Sequence, residues 1–125
     1  MSRREAAQTQ DKPHSRHRFA GHLAAPATGV TATSVHAAYA SFYAGERLIR
    51  VLPPGAVPDV RSHGSHAQGV TLGGFSYDAS SGRLAMVSVI DNLLKGAATQ
   101  ALQNINIAEG LPEYKGIPGV APAAA

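Results

Sequence analysis

Most of the side chains that could take part in binding or chemistry lie in one stretch, "IDNLLKGAATQALQNIN" at residues 90–106. Its only basic residue is Lys95, and it contains five side-chain amides, Asn92, Gln100, Gln103, Asn104 and Asn106. An exposed helix face normally carries Lys, Glu and Arg, so this amide-rich face is predicted to contact something other than bulk water. A partner surface and a bound cofactor both explain the pattern.

Two pairs of histidines could in principle share a metal ion, because His14 and His17, and likewise His63 and His66, are three positions apart. Both pairs lie in polar segments that contain no carboxylate at a supporting spacing. Loop polarity is the simpler explanation, and we predict no metal site.

The composition limits the possible chemistry. A chain of 125 residues without cysteine predicts one domain, and it excludes disulfides, thiolate ligands and a cysteine nucleophile within this chain. No catalytic residue is therefore assigned. The sequence has no apolar run of membrane-spanning length and no apolar signal-peptide core, so no membrane partner is expected. A cytoplasmic protein is predicted, with a mitochondrial one as the alternative.

The positive charge is concentrated at the N-terminus. Residues 1–18 hold five basic and two acidic side chains, a difference that equals the net charge of +3 for the whole chain. The remainder therefore offers no broad phosphate-binding field, and residues 1–18 contain no stacking aromatics, so no nucleic-acid partner is predicted. Residues 1–30 lack a sustained hydrophobic period and are interpreted as a largely disordered basic tail.

The elements that must position the amide-rich stretch can be predicted locally. A helix begins near Thr33 or Ser34 and ends at Gly45, with apolar residues at helical spacing. A short strand is predicted over 46–52 and a loop over 57–69. Residues 70–77 and 83–90 form an antiparallel hairpin around a turn at 78–82. The apolar positions of that first helix are Val35, Ala38, Tyr39 and Phe42.

The glycines of "QGVTLGGF" do not open a helix after a strand, as a phosphate-binding loop requires. They are predicted to mark a β-bulge or close backbone packing. The glycines concerned are Gly69, Gly73 and Gly74.

A second helix is predicted from a cap at Asp91-Asn92 to Glu109, where Gly110 and Pro112 end it. Its wheel separates an apolar stripe from a polar side. The stripe contains Leu94, Ala98, Ala101, Leu102 and Ile105, and the polar side contains Asn92, Lys95, Gly96, Thr99, Gln103 and Asn106. The residues after Pro118 are predicted to form a flexible tail, 119–125.

The run from Asp91 to Ala98, "DNLLKGAA", with the amides that follow it, resembles the C-terminal signature of N-acetyl-gamma-glutamyl-phosphate reductases. These are enzymes of arginine biosynthesis related to aspartate-semialdehyde dehydrogenase. "YAGERLIRVLP", "VPDVRSHGSHAQGVTLGGF" and "GLPEYKGIPGVAP" resemble further segments of the family. The resemblance covers residues 30–122.

The resemblance implies an NADP-dependent oxidoreductase that reduces an acyl phosphate to a semialdehyde, N-acetylglutamate semialdehyde, and releases phosphate. It places Asn92, Lys95 and Gly96 close to the cofactor, and it implies that the amides dock against a nucleotide-binding domain. The Rossmann domain and nucleophilic cysteine of the family have no counterpart in these 125 residues. The chain alone is therefore expected to be inactive.

We predict an α+β fold, an antiparallel sheet with two principal helices, that corresponds to the C-terminal dimerisation domain of the reductase over residues 31–118. The expected partners are a second copy of the chain or a full-length reductase. The alternative is a non-catalytic interaction module that pairs through the sheet and the amide-bearing helix.

Overall fold

The computed structural model describes residues 7–11, 16–24 and 29–120. Five strands form one sheet in the order β1-β2-β5-β4-β3. They are β1 (Ala7–Asp11), β2 (Arg16–Ala24), β3 (Ile49–Val51), β4 (Val70–Asp78) and β5 (Arg83–Asp91), accompanied by the helices α1 (Ala32–Phe42) and α2 (Thr99–Ala108). The α+β class is confirmed.

The centre of the sheet is the predicted hairpin of β4 and β5. The turn between these strands is closed by Asp78, whose carboxylate accepts hydrogen bonds from Ser80 and Ser81, while Gly82 has φ +65°. The pairing register shifts between Gly73 and Ser76. The bulge predicted from the glycine run is therefore present.

Residues 1–30 were predicted to be largely disordered, but the structure places the strands β1 and β2 within them. β2 pairs antiparallel with β5 along all nine of its residues, and β1 pairs with β2. The backbone of β2 finds its partners in β5, from Ala24 with Arg83 to Arg16 with Asp91, a long-range pairing that local patterning does not reveal. Residues 1–6, 12–15 (with His14) and 25–28 of the predicted tail lie outside the described residues, as do residues 121–125 of the predicted C-terminal tail.

The sheet is mixed rather than wholly antiparallel. β3 runs parallel to β4 at the edge of the sheet and contains only three residues, shorter than the predicted strand over 46–52. A parallel pair requires a long crossover, which here is the segment 52–69. The loop predicted over 57–69 lies within this crossover and contains a π-helical turn, Val60–Gly64, capped by the Asp59 carboxylate.

Helix α1 begins at a capping box in which Thr31 and Ser34 exchange side-chain and backbone hydrogen bonds. His36 Nε2 lies 2.8 Å from the Leu52 carbonyl oxygen and its ring contacts Phe75 edge-on, so α1 packs on the β4 side of the sheet. Phe42, predicted as an apolar contact position, is 80% exposed.

The apolar core lies on the hairpin and the segments folded over it. Val89 has no exposed surface, and Pro58 is also fully buried. The buried apolar residues are Leu48, Leu52, Leu72, Leu84, Val87, Val89 and Ile117. A Cβ at Gly73 would lie 2.7 Å from the Ala56 carbonyl oxygen, so glycine allows the crossover to lie directly against β4.

Candidate functional site

The site begins where β5 ends. Asp91 Oδ1 accepts hydrogen bonds from the backbone N–H of Leu93 and Leu94, at 3.0 and 3.2 Å, as the predicted cap requires. Its Oδ2 accepts from the backbone N–H of His66, which ties the crossover to the start of the helical region. A π-helical turn, Leu94–Ala98, then leads directly into α2.

Lys95 starts a chain of side-chain hydrogen bonds along the inner face of this helical region. Its Nζ donates to Gln103 Oε1 at 2.6 Å, and Gln103 Nε2 donates to Glu113 Oε1 at 2.6 Å. Lys95 and Glu113 are half-buried, and Gln103 is 6% exposed. The three residues link the π-helical turn to the segment that follows α2.

Asn106 holds that following segment in place. Its Nδ2 donates to the carbonyl oxygens of Glu113 and Lys115, both at 2.9 Å, and the residue is 3% exposed. Thr99, on the same face, donates from Oγ1 to Gln68 Oε1 in the crossover. The amides therefore satisfy backbone and side-chain acceptors within this chain.

The two faces of α2 are placed opposite to the usual arrangement. The face containing Thr99, Gln103 and Asn106 is buried, whereas Ile105 and Ile107 are 57% and 60% exposed. Gln103 and Asn106 therefore do not dock on a separate nucleotide-binding domain, as the sequence resemblance implied, because their partners are in residues 113–115 of the same chain. Gln100 and Asn104 are exposed and hydrogen-bond to each other at 3.2 Å.

Burial and charge act in opposite directions on Lys95. Its partial burial lowers the pKa of the ammonium, and the negative charge of Glu113 opposes that shift. Next to Glu113, burial raises the pKa of Tyr114, and the charges of Glu113 and Glu46 add to the shift. The Tyr114 ring also lies 5.5 Å from the Arg47 guanidinium.

The three residues predicted to bind the cofactor lie together at the start of the helical region. Asn92 and Lys95 are half-buried and Gly96 is exposed. A Cβ at Gly96 would come within 3.0 Å of Asn92 Oδ1, so glycine leaves space beside that amide. The arrangement offers an ammonium, an amide and an open backbone to an approaching polar ligand.

The other sequence candidates do not form a site. His63 Nδ1 accepts from the Asp59 backbone N–H and contacts the Ser62 hydroxyl, so it belongs to the cap of the π-helical turn. No group of three or more His, Asp or Glu side chains that could hold a metal is found within the described residues. A hollow of about 350 Å³ on α1 contains none of the three predicted residues and is lined by Ala38, Tyr39, Phe42 and Tyr43. The described helices include none that could cross a membrane.

Solved structures with the same arrangement define the class of fold. The aspartate semialdehyde dehydrogenase II of Vibrio cholerae matches with a TM-score of 0.58 at 25% identity, over 75% of this chain and 26% of that one. The fold described above is thus a C-terminal part of the fold of semialdehyde dehydrogenases.

The family model for the semialdehyde dehydrogenase dimerisation domain matches residues 12–92, and the chain belongs to that family. It is 45% identical to the N-acetyl-gamma-glutamyl-phosphate reductase of Geobacter sulfurreducens over 81% of this chain, and 48% identical to that of Streptomyces avermitilis over 75%. It spans 28% of each of those proteins. It is also 47% identical to the mitochondrial protein arg-6 of Neurospora crassa, of which it spans 10%. The resemblance to these reductases is confirmed.

Sequence reasoning missed Glu113. The residue lies in "GLPEYKG", where the sequence predicted only the end of the helix. One feature of the sequence could have indicated it: an acidic residue follows shortly after a helix whose amides have few charged neighbours. Its role became visible only when the segment folded back onto α2.

Proposed function

We propose that this chain is the dimerisation part of an N-acetyl-gamma-glutamyl-phosphate reductase. The complete enzyme would reduce N-acetyl-gamma-glutamyl phosphate with NADPH to N-acetylglutamate semialdehyde and release phosphate. The observation that carries this proposal is the identity of 45% and 48% to two such reductases over three quarters or more of the chain.

The chain contains no cysteine, so it has no thiol to form an acyl-enzyme thioester. We therefore propose that it is inactive alone and contributes to catalysis only together with a nucleotide-binding domain and a thiol from elsewhere. NADPH would supply the hydride when bound. Hydride transfer requires its nicotinamide to be seated against the acyl group, which is the task of residues around the cofactor.

Within this chain, Asn92, Lys95 and Gly96 are proposed to lie beside NADP. The Lys95 ammonium and the Asn92 amide can donate hydrogen bonds to ligand oxygen atoms, and Gly96 permits close approach to the backbone. Their grouping directly after β5 supports this proposal, because the Asp91 cap fixes the start of the helical region. The site residues are thus positioned by the end of a central strand.

A homo-oligomer is the proposed assembly, in agreement with the dimerisation-domain family. The outer face of α2 supports self-association, since exposed Ile105 is accompanied there by the uncharged and exposed residues Ala101, Asn104 and Ala108. Pairing with a full-length reductase, as a non-catalytic module, is the second candidate and rests on the same surface. For the compartment we propose the cytoplasm, because Glu5 and Asp11 interrupt the basic N-terminus.

Complementation tests the proposal. The purified chain is mixed in equal amounts with a Geobacter sulfurreducens reductase that lacks the matching quarter, and NADPH oxidation is followed with the acyl phosphate substrate. We expect turnover in the mixture and none with either component alone. Turnover by the 125-residue chain alone, or a mixture without NADPH oxidation, would contradict the proposed role.

Co-purification separates the second candidate from the first. A non-catalytic interaction module would bind the intact reductase, and the intact reductase would still carry out the whole reaction. Tight association with the intact enzyme, combined with failure to complement the shortened one, would favour the non-catalytic module.

A further inference from the structure

We infer that Gln103 and Glu113 are positioning residues that hold the Lys95 ammonium in one orientation at the start of the helical region. The inference rests on the proposed function for the ligand that Lys95 would face, and on the hydrogen-bond geometry for the positioning itself. Lys95 lies in the π-helical turn, Gln103 in α2 and Glu113 in the segment after α2. The orientation of the ammonium therefore depends on how that last segment folds back onto the helix.

The chemistry of the end groups fixes the orientation of the central amide. An ammonium can only donate and a carboxylate can only accept, so Gln103 must point its oxygen toward Lys95 and its nitrogen toward Glu113. Both contacts are short, at 2.6 Å, and each joins one charged group to the amide, as this assignment requires. Rotating the amide by about 180° would point its NH2 group at the Lys95 ammonium and its oxygen at the Glu113 carboxylate, so donor would face donor and acceptor would face acceptor.

The segment that carries Glu113, at the far end of the hydrogen-bond network, is itself held in place. Asn106 binds the carbonyl oxygens on both sides of Tyr114, and Ile117 is 4% exposed three residues further on. Glu113 is therefore a fixed acceptor rather than the tip of a free loop.

The intervening amide distinguishes this network from an ordinary ion pair. Gln103 accepts from one of the three N–H donors that a lysine ammonium carries, and it separates the ammonium from the carboxylate. The ammonium therefore has further N–H donors beyond the one given to Gln103, and these can be offered to an oxygen atom of a ligand. This is the arrangement required of a pre-oriented binding group rather than of a neutralised pair.

The first test needs no enzyme activity. The chain has three lysines, Lys12, Lys95 and Lys115, whose side-chain Cε and Nζ signals can be assigned by NMR with Lys→Arg variants and titrated with pH. We expect both Gln103→Met and Glu113→Leu to shift the Lys95 signals and to lower its pKa further, because each removes support for the charged form. Glu109→Leu, which removes the same charge from an exposed position, should leave Lys95 unchanged.

The second test uses the complemented enzyme. We expect Glu113→Leu to raise KM for NADPH about tenfold with little change in kcat, the effect of losing one charge-assisted contact to a binding group. Glu113→Gln retains an acceptor oxygen for Gln103 and should restore KM to within about twofold of the unmodified chain. A merely structural role would not produce this rescue together with a selective change in KM.

The outcomes separate the inference from the proposed function. Lys95 signals unaffected by Gln103→Met and Glu113→Leu would overturn the inference, whatever the enzyme assay shows. An active mixture in which Glu113→Leu leaves KM for NADPH unchanged would also overturn it. Responsive Lys95 signals with a silent mixture would support the positioning network while removing the reductase assignment.

Discussion

Gln103 and Glu113 are joined by a 2.6 Å hydrogen bond from the amide nitrogen to the carboxylate, across the inner face of α2. This contact shows that the helix is held to its own domain by polar groups. A surface helix normally buries its apolar stripe and solvates its polar one. Here the segment after the helix offers carbonyl and carboxylate acceptors, so the amides are the side that packs inward.

Asn106 is predicted to be the most sensitive amide. Asn106→Ala removes the donor for two carbonyl oxygens, at Glu113 and Lys115, in a buried environment. We expect a loss of about 2 to 4 kcal/mol in the free energy of unfolding, measured by urea denaturation. Asn104→Ala, on the exposed face, is the control and should change it by less than about 0.5 kcal/mol. Equal effects of the two substitutions would contradict the polar docking of α2.

Ile105 is predicted to contribute to self-association rather than to folding. It is 57% exposed, so Ile105→Lys should change the unfolding free energy by less than about 0.5 kcal/mol. A charge on this uncharged face should nevertheless weaken association, which sedimentation equilibrium measures directly. Ala79→Lys in the hairpin turn adds the same charge elsewhere and should leave association unchanged. An unaltered dissociation constant for Ile105→Lys would exclude this face from the interface.

Gly73 is predicted to be intolerant of any side chain. The Cβ introduced by Gly73→Ala would lie 2.7 Å from the Ala56 carbonyl oxygen and 3.0 Å from Pro58 Cδ, so the crossover would have to move away from β4. We expect a loss of about 1 to 3 kcal/mol in the free energy of unfolding. Ser76→Ala, at an exposed position of the same strand, serves as the comparison and should be close to neutral. The prediction fails if both variants unfold at the same urea concentration.

Asp78 gives the hairpin turn an acid-sensitive contribution. Hydrogen bonds from the Ser81 hydroxyl, and then from Ser80, lower the pKa of its carboxyl from 3.8 to about 2. Because the folded-state pKa is below the unfolded value, the contribution is present above pH 3.8 and is lost as the pH falls toward 2.

Denaturation of the wild type and of Asp78→Asn across this range measures that contribution. We expect the stability difference between the two to be smaller at pH 2 than near neutral pH. The effect is modest because the carboxyl is solvent-exposed. A difference that stays constant down to pH 2 would show that the serine hydroxyls do not favour the charged form.

Local features of the fold were predicted correctly where their causes are local. The hairpin, the bulge at Gly73-Gly74 and the Asp91 cap each depend on residues within a few positions of one another. β2 was not predicted because the composition of residues 16–24 does not indicate a strand. Its pairing partner, β5, is distant in the sequence. The parallel placement of β3 likewise depends on the path of the crossover.

The wheel of α2 was divided correctly, but the sequence could not say which side faces inward. That choice depends on residues 113–117, which lie beyond the helix and supply the acceptors. The resemblance located Asn92, Lys95 and Gly96, and the structure groups them after β5. It did not reveal Glu113, because a hydrogen-bond partner ten positions from Gln103 becomes adjacent only after the chain reverses.

The pairing of β2 with β5 also determines how the chain can be shortened. β5 is an inner strand only because β2 covers nine consecutive residues of its backbone. A chain that started at residue 29 would present that row of N–H and C=O groups as an open edge, on a strand that contains Leu84, Val87 and Val89. Such a truncation would favour the addition of strands between molecules. Soluble expression is therefore expected to require β2, which the sequence alone did not identify as a strand.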